Sequence, residues 1–184
     1  TTSDRRVGSY YSLQNVELNK LVLLNTAIKD NVAALFHIGG LSIPFRCVDA
    51  AATLLLHDRF DAQQICEDLY RYAVTHLSLV PAMLTKLLDQ APDLPPPPSL
   101  RVVLIGGASL SRQLYEKATA AGWPLAPTFG MTENCSQIAT LYPPSTHWFP
   151  GLVGKALESW KVSKGPNEAW RNSSRNGTQV FELL

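Results

Sequence analysis

Apolar residues recur along the middle of the chain with two periods, one near 2 and one near 3.6. Residues 52–57 (Ala-Thr-Leu-Leu-Leu-His) form a short apolar run suited to a strand buried on both faces. Asp61 follows, with Gln64 three residues on, the pattern of a capping box. The helix opened there puts Ile65, Leu69 and Tyr72 on one side. Residues 75–80 (Thr-His-Leu-Ser-Leu-Val) read as another strand. Pro81 suits the first turn of a helix whose core stripe is Met83, Leu84, Leu87 and Leu88. Residues 100–105 (Leu-Arg-Val-Val-Leu-Ile) are the clearest strand, ending in Gly106, Gly107, Ala108 and Ser109. A helix to Ala121 follows, with Leu114, Ala118 and Ala121 on one face and Gly122 as its stop. A further strand is predicted over residues 125–129, ending at Gly130.

Strands alternating with helices imply an α/β fold, a mostly parallel sheet flanked by helices. Such sheets bind ligands beyond the carboxyl ends of their strands. Two loops lie there, residues 106–109 and 130–133. Residues 91–99 (Ala-Pro-Asp-Leu-Pro-Pro-Pro-Pro-Ser) are a stiff extended connector, or alternatively a proline-recognition ligand. Residues 1–30 carry an apolar stripe (Val16, Leu18, Leu21, Leu23, Leu24, Ile28) without a motif. From Ser163 onward the chain is polar; Asn176-Gly177 is a hairpin turn signal, with residues 178–184 as the returning strand.

Composition narrows the function. The chain has 184 residues, 46% hydrophobic and 17% charged, enough apolar material for one core and not the composition of a disordered chain. Sixteen basic and 15 acidic residues give a net charge of +1, so nucleic acid and acidic membranes are not expected partners. No apolar run is long enough for a bilayer-spanning helix, and none follows the N-terminus as a secretion signal would. The three cysteines (Cys47, Cys66, Cys135) are widely spaced and odd in number, which reads as reduced thiols of a cytoplasmic protein. Four scattered histidines give no metal-ligand spacing.

Three segments carry candidate chemistry, each with a plainer alternative. Gly106 and Gly107 after a strand let backbone approach a flat or anionic ligand; they equally suit a tight strand-to-helix turn. In residues 128–133 (Thr-Phe-Gly-Met-Thr-Glu), an aromatic ring at a strand end can stack on a purine. Thr132 beside Glu133 can hold a phosphate and its Mg²⁺, or Thr132 can be a helix N-cap with Glu133 in the first turn. His37, in an apolar run, is a satisfied core residue or a catalyst.

In this order, Leu-Phe-His-Ile-Gly-Gly (35–40), Leu-Val-Pro-Ala-Met-Leu (79–84), Ile-Gly-Gly-Ala (105–108) and Phe-Gly-Met-Thr-Glu (129–133) resemble the adenylate-forming, AMP-binding superfamily of acyl-CoA synthetases. Residues 35–44 and 129–141 are most similar to the branch that activates o-succinylbenzoate in menaquinone and phylloquinone biosynthesis. The resemblance covers residues 34–162 as one AMP-binding-type subdomain and leaves 1–33 and 163–184 unassigned. It implies an AMP-forming acid–thiol ligase using ATP, Mg²⁺ and coenzyme A on a small-molecule carboxylic acid; self-association into a homo-oligomer stays open.

The resemblance also assigns roles. Thr132 contacts the nucleotide phosphate and Glu133 holds Mg²⁺. Phe129 stacks on adenine, Gly106, Gly107 and Ala108 line the adenine and acyl pocket, and Gly130 and Met131 complete the nucleotide loop. His37 stands near the acyl site and the thiol's route. Ser136 and Gln137, one turn past Glu133, face the carboxylate substrate. Residues 153–157 (Val-Gly-Lys-Ala-Leu) resemble the segment after the Thr-Glu helix. Three family elements have no match here: the phosphate loop ending in Lys, the ribose-binding Asp, and the small domain with its Lys. The isolated chain is therefore expected to be inactive. The alternative is a non-catalytic α/β module that binds a nucleotide or a partner.

Overall fold

The computed structural model describes residues 21–25, 35, 37–143, 148–157, 170–175 and 178–183, the first and last two spans as strand backbone. The elements in chain order are β1 (Leu21–Asn25), α1 (Ile38–Asp49), β2 (Thr53–His57), α2 (Ala62–Arg71), β3 (His76–Leu79), α3 (Pro81–Gln90), β4 (Val102–Ile105), α4 (Arg112–Ala120) and β5 (Leu125–Met131). After a 3-10 turn at Thr132–Asn134 come β6 (Ser136–Thr140), β7 (Leu152–Ala156), β8 (Trp170–Arg175) and β9 (Thr178–Leu183).

The strands lie in the order β2-β1-β3-β4-β5-β6-β7-β9-β8. The first five pair in parallel, as the alternation of strands and helices requires. From β5 onward the pairings are antiparallel. The chain winds one way from β1 to β2, returns past β1 to β3, then continues outward to β5. Beyond the carboxyl edge of a sheet wound in both directions, connections leave room for a ligand. The apolar stripe of residues 1–30 thus contributes a strand, β1, between β2 and β3. The predicted C-terminal hairpin is present as β8 and β9, with Arg175 opposite Thr178; residues 176–177 lie outside the described residues.

The main core is the layer of α2, α3 and α4 on one sheet face. Met83, Leu84, Leu87 and Leu88 are all buried there, with Ile65, Leu69, Val103, Ala118 and Leu125. Asp61 caps α2 by accepting the Gln64 amide at 3.1 Å. The Gln64 side chain turns forward to Asp68 (3.0 Å), so the box is half formed. Asp68 in turn meets His57 Nε2 at 3.2 Å, a buried link from α2 to the end of β2. Tyr72 departs from the expected stripe: it is the C-cap of α2, exposed, beneath the Arg71 guanidinium. In α4 the buried aromatic is Tyr115, which stacks on Trp148 at 4.2 Å.

The helix α1 was not legible in the pattern. Gly39, Gly40 and Pro44 are all poor helix formers. Ile43 and Cys47 nevertheless pack with Leu54 of β2, while the adjacent Leu55 packs into the main core. Successive strand residues point to opposite faces, so α1 covers the face that α2, α3 and α4 leave open.

Leu84→Ala should lower the free energy of unfolding by about 2–5 kcal/mol in urea titration, because it opens a cavity in a close-packed layer. Val48→Ala, on the 82% exposed outer side of α1, should change it by less than about 0.5 kcal/mol.

Candidate active site

The carboxyl ends of β3, β4 and β5 open into a crevice of about 240 Å³. Its floor is built from backbone at two close approaches. At Gly106 a Cβ would stand 2.9 Å from the Thr128 methyl, so the loop after β4 lies directly on β5. Gly107 then turns with φ +76°, a conformation that costs glycine nothing. At Gly130 a Cβ would fall 1.9 Å from the Ser136 carbonyl oxygen and 2.9 Å from the Gln137 Cα. This contact is made by a turn, not a helix. Thr132–Asn134 form a single 3-10 turn, Cys135 and Ser136 take φ +56° and +101°, and β6 begins. The expected helix after Thr132 is therefore absent, and Met131 occupies the cap position without a side-chain cap bond. Ser136 and Gln137 reach the crevice from the first residues of an antiparallel strand, with Met131 paired to Ser136 and Gly130 to Gln137.

Of the residues singled out from sequence, Gly106, Gly107, Gly130, Met131, Thr132, Ser136 and Gln137 line this one crevice. Ala108 and Glu133 are the exposed chain neighbours of Gly107 and Thr132 but are not in the lining. Phe129 is half-buried, packed on Ala139 and Val153, away from the crevice. His37 is exposed at the N-terminus of α1, not a core residue, and the next two residues, Ile38 and Gly39, do line the site.

The residue that sequence reasoning missed is Arg46. It lines the crevice from α1 and is 6% exposed. Its Nη2 donates to Ser42 Oγ at 2.6 Å and to Ser136 Oγ at 3.3 Å. Ser42 Oγ donates to the Gly39 carbonyl at 3.1 Å and stands 3.2 Å from Ser136 Oγ. These bonds tie α1 to β6 and hold the guanidinium at the crevice wall. The signal was a single arginine inside the apolar run Ile-Pro-Phe-Arg-Cys-Val: a charge buried in such a run needs partners. Thr128, Ser78 and Leu104 complete the wall from the strand ends.

Among the described residues no three His, Cys, Asp or Glu converge as metal ligands. Cys47 and Cys66 are buried, and burial pushes both thiols above the usual range; the Arg46 charge offsets part of this at Cys47. Cys135, in the turn beside Thr132, is exposed.

Residues 13–163 match the family model of the AMP-binding enzymes. The chain belongs to that family. It is 39% identical over 139 residues to the 2-succinylbenzoate–CoA ligase of Staphylococcus aureus strain MSSA476, covering 75% of this chain and 28% of that protein. The chain thus spans 28% of the length of such relatives. Among solved structures it is similar to the O-succinylbenzoate coenzyme A synthetase (MenE) of Bacillus subtilis in complex with ATP and magnesium ion. That match has a TM-score of 0.70 at 30% identity, over 94% of this chain and 34% of that one. The N-terminal domain of FACL13 from Mycobacterium tuberculosis, at 20% identity and a TM-score of 0.75 over 90% of this chain and 41% of its own, shares the fold. The expected fold class and family are both borne out.

Gly130→Ala should cost about 2–3 kcal/mol of stability in urea titration, since the methyl group meets backbone that cannot turn aside. With iodoacetamide at pH 8 under native conditions, Cys135 should be alkylated first. Cys47 and Cys66, buried and with raised pKa, should react only after unfolding, as read by peptide mass mapping.

Proposed function

We propose that this chain carries the central part of the nucleotide and acid site of an AMP-forming acid–thiol ligase acting on o-succinylbenzoate. The observation that carries this reading is one crevice at the carboxyl edge where the glycine loop, Thr132 and a buried arginine meet. The family match and the relatives that act on 2-succinylbenzoate support it. The boundary at residue 34 leaves out β1, which lies between β2 and β3 in the same sheet, while the β8–β9 hairpin continues that sheet beyond β7. ATP and coenzyme A as reactants, and free thiols at all three cysteines, suit a cytoplasmic enzyme.

In this reading the Gly106–Gly107 turn lets the nucleotide base lie against backbone, with Ala108 at its edge and Phe129 bracing the strand behind it. Gly130 and Met131 carry the chain under the nucleotide. The Thr132 hydroxyl donates to an α-phosphate oxygen. Glu133 is an exposed carboxylate without an ion pair among the described residues. Its hard oxygens would suit a divalent cation such as Mg²⁺. Mg²⁺ there supplies neutralisation of phosphate charge. Arg46, oriented by Ser42 and Ser136, which both accept from its Nη2, pairs with a carboxylate of the acid. Gln137 borders the same space, and His37 stands at the rim where a thiol would enter.

The reaction has two displacements. A carboxylate oxygen attacks the α-phosphorus, the bond to pyrophosphate breaks, and an acyl-AMP forms. The thiol sulfur then attacks the acyl carbon, AMP leaves, and the thiol proton passes to solvent or a base. The residues present serve the first step mainly by positioning and by charge complementarity.

Calorimetry tests the reading. The chain should bind ATP more tightly with Mg²⁺ than without, by about tenfold, and Glu133→Ala should abolish that difference. Arg46→Met should weaken o-succinylbenzoate at least about 30-fold while leaving AMP affinity unchanged. The chain alone should release no pyrophosphate from ATP and o-succinylbenzoate at an enzymatic rate. Absence of any nucleotide binding would instead favour a non-catalytic module.

A further inference from the structure

The crevice lies between the first turn of α1 and the sheet. In the ladder Ser78 stands opposite Leu104 and Leu104 opposite Ala126, with Thr128 two residues on; their neighbours Leu79, Val103, Ile105 and Leu125 are in the main core. Successive strand residues point to opposite faces, so Ser78, Leu104 and Thr128 form a floor on the face that α1 covers. Ile38 and Gly39 line the same space from the helix side. Three features leave this turn weakly held. Of residues 38–42 only Gly40 and Ser42 are buried; Ile38 is half-buried, Leu41 is exposed, and the buried apolar contacts of α1 begin at Ile43 and continue at Cys47. Gly39 and Gly40 have little preference for a helix. Pro44 has no N–H to give the Gly40 carbonyl, so the hydrogen-bond ladder is interrupted where the turn joins the rest of α1.

What fastens the turn is the Ser42 hydroxyl. It donates to the Gly39 carbonyl at 3.1 Å. A hydroxyl has one proton, so its 3.2 Å contact with the Ser136 hydroxyl is donated by Ser136. Ser42 Oγ also accepts from Arg46 Nη2 at 2.6 Å, and the same nitrogen reaches Ser136 at 3.3 Å. One oxygen thus joins the start of the turn to a post made of Arg46 and Ser136. That post stands on firmer ground: Arg46 precedes the packed Cys47, and Ser136 begins the buried strand β6. We propose that residues 38–42 are a gate over the crevice, with Ser42 as its latch and Pro44 as its hinge. When Ser42 lets go, the turn leaves the floor and uncovers Ser78 and Leu104, while Ile43 and Cys47 stay packed on Leu54. The gate governs access and does not depend on which ligand enters.

Two measurements test it on the whole 184-residue chain. In hydrogen exchange followed by mass spectrometry, Ser42→Ala should speed the amides of residues 41–43 by about five- to thirtyfold, and Pro44→Ala should slow them by about three- to tenfold. Neither variant should change the amides of residues 83–88 in α3. Access is read with Ser78→Cys on the floor and fluorescein maleimide, a dye larger than the closed crevice of about 240 Å³, with the labelled sites mapped by peptide mass. Position 78 should label more slowly than the exposed Cys135. Adding Ser42→Ala should raise that rate by about five- to thirtyfold, and adding Pro44→Ala should lower it by about three- to tenfold. If Ser78→Cys does not fold, Leu104→Cys, opposite it in the ladder, reads the same path. Labelling at position 78 as fast as at Cys135, or at a rate that neither variant alters, overturns the proposal: the turn is then a frayed helix end and not a gate. Alkylation of Cys47 in step with position 78 also overturns it, because the whole of α1 then leaves the sheet.

Discussion

The absence of a side chain at residue 130 sets the geometry of everything around it. The Ser136 carbonyl would sit 1.9 Å from a Cβ there, so β6 can pass this close to the end of β5 only over a glycine. That approach brings two consecutive non-glycine residues, Cys135 and Ser136, into positive φ. Such backbone persists only where the surrounding structure over-determines it, and it clusters at functional sites. Here the constraint turns the chain back after one 3-10 turn instead of letting it run into a helix. As a result Ser136 and Gln137, Thr132 and the Gly106–Gly107 loop border one space.

The same turn sets the order of the sheet. Up to β5 every strand is parallel and returns through a helix; after it every pairing is antiparallel. The crevice lies where the two regimes meet, with β3, β4 and β5 presenting their carboxyl ends and β6 entering from the side. A parallel sheet alone offers loops at that edge. The reversal adds a strand whose first side chains are buried, and buried side chains are held in single rotamers more firmly than loop side chains.

The sequence made the parallel half readable for a physical reason. Its strands are short apolar runs and its helices carry regular stripes, so burial alone predicts them: Met83, Leu84, Leu87 and Leu88 are all in the core. The helix α1 was hidden because Gly39, Gly40 and Pro44 oppose it locally, and tertiary packing of Ile43 and Cys47 against Leu54 overrides that preference. The turn at 132–136 misled because Thr and Glu in that order also begin helices, while the competing requirement lies in a contact between residues 130 and 136 that no local pattern displays. Arg46 was missed for a similar reason. Its partners Ser42 and Ser136 are 94 positions apart in the chain, and only the fold brings them within 3.2 Å.

Arg46 also shows how the two faces of the sheet are coupled. It stands on α1, which covers one face, yet it is held through Ser136, the first residue of β6. A displacement of the turn at 132–136 moves Ser136 and Gln137 together, since they are adjacent on one strand. The Ser136 hydroxyl, which accepts from the guanidinium, and the Gln137 amide beside it therefore shift as a unit. A change that relaxes the turn should move Thr132, Ser136 and Gln137 at once, whereas a change confined to α1 reaches only the guanidinium of Arg46. The close approach at Gly130 is thus the mechanical link between the two halves of the crevice, and the hydroxyl pairs on either side of it, Ser42 with Ser136 and Thr128 with Thr140, transmit its position to the residues of the crevice wall.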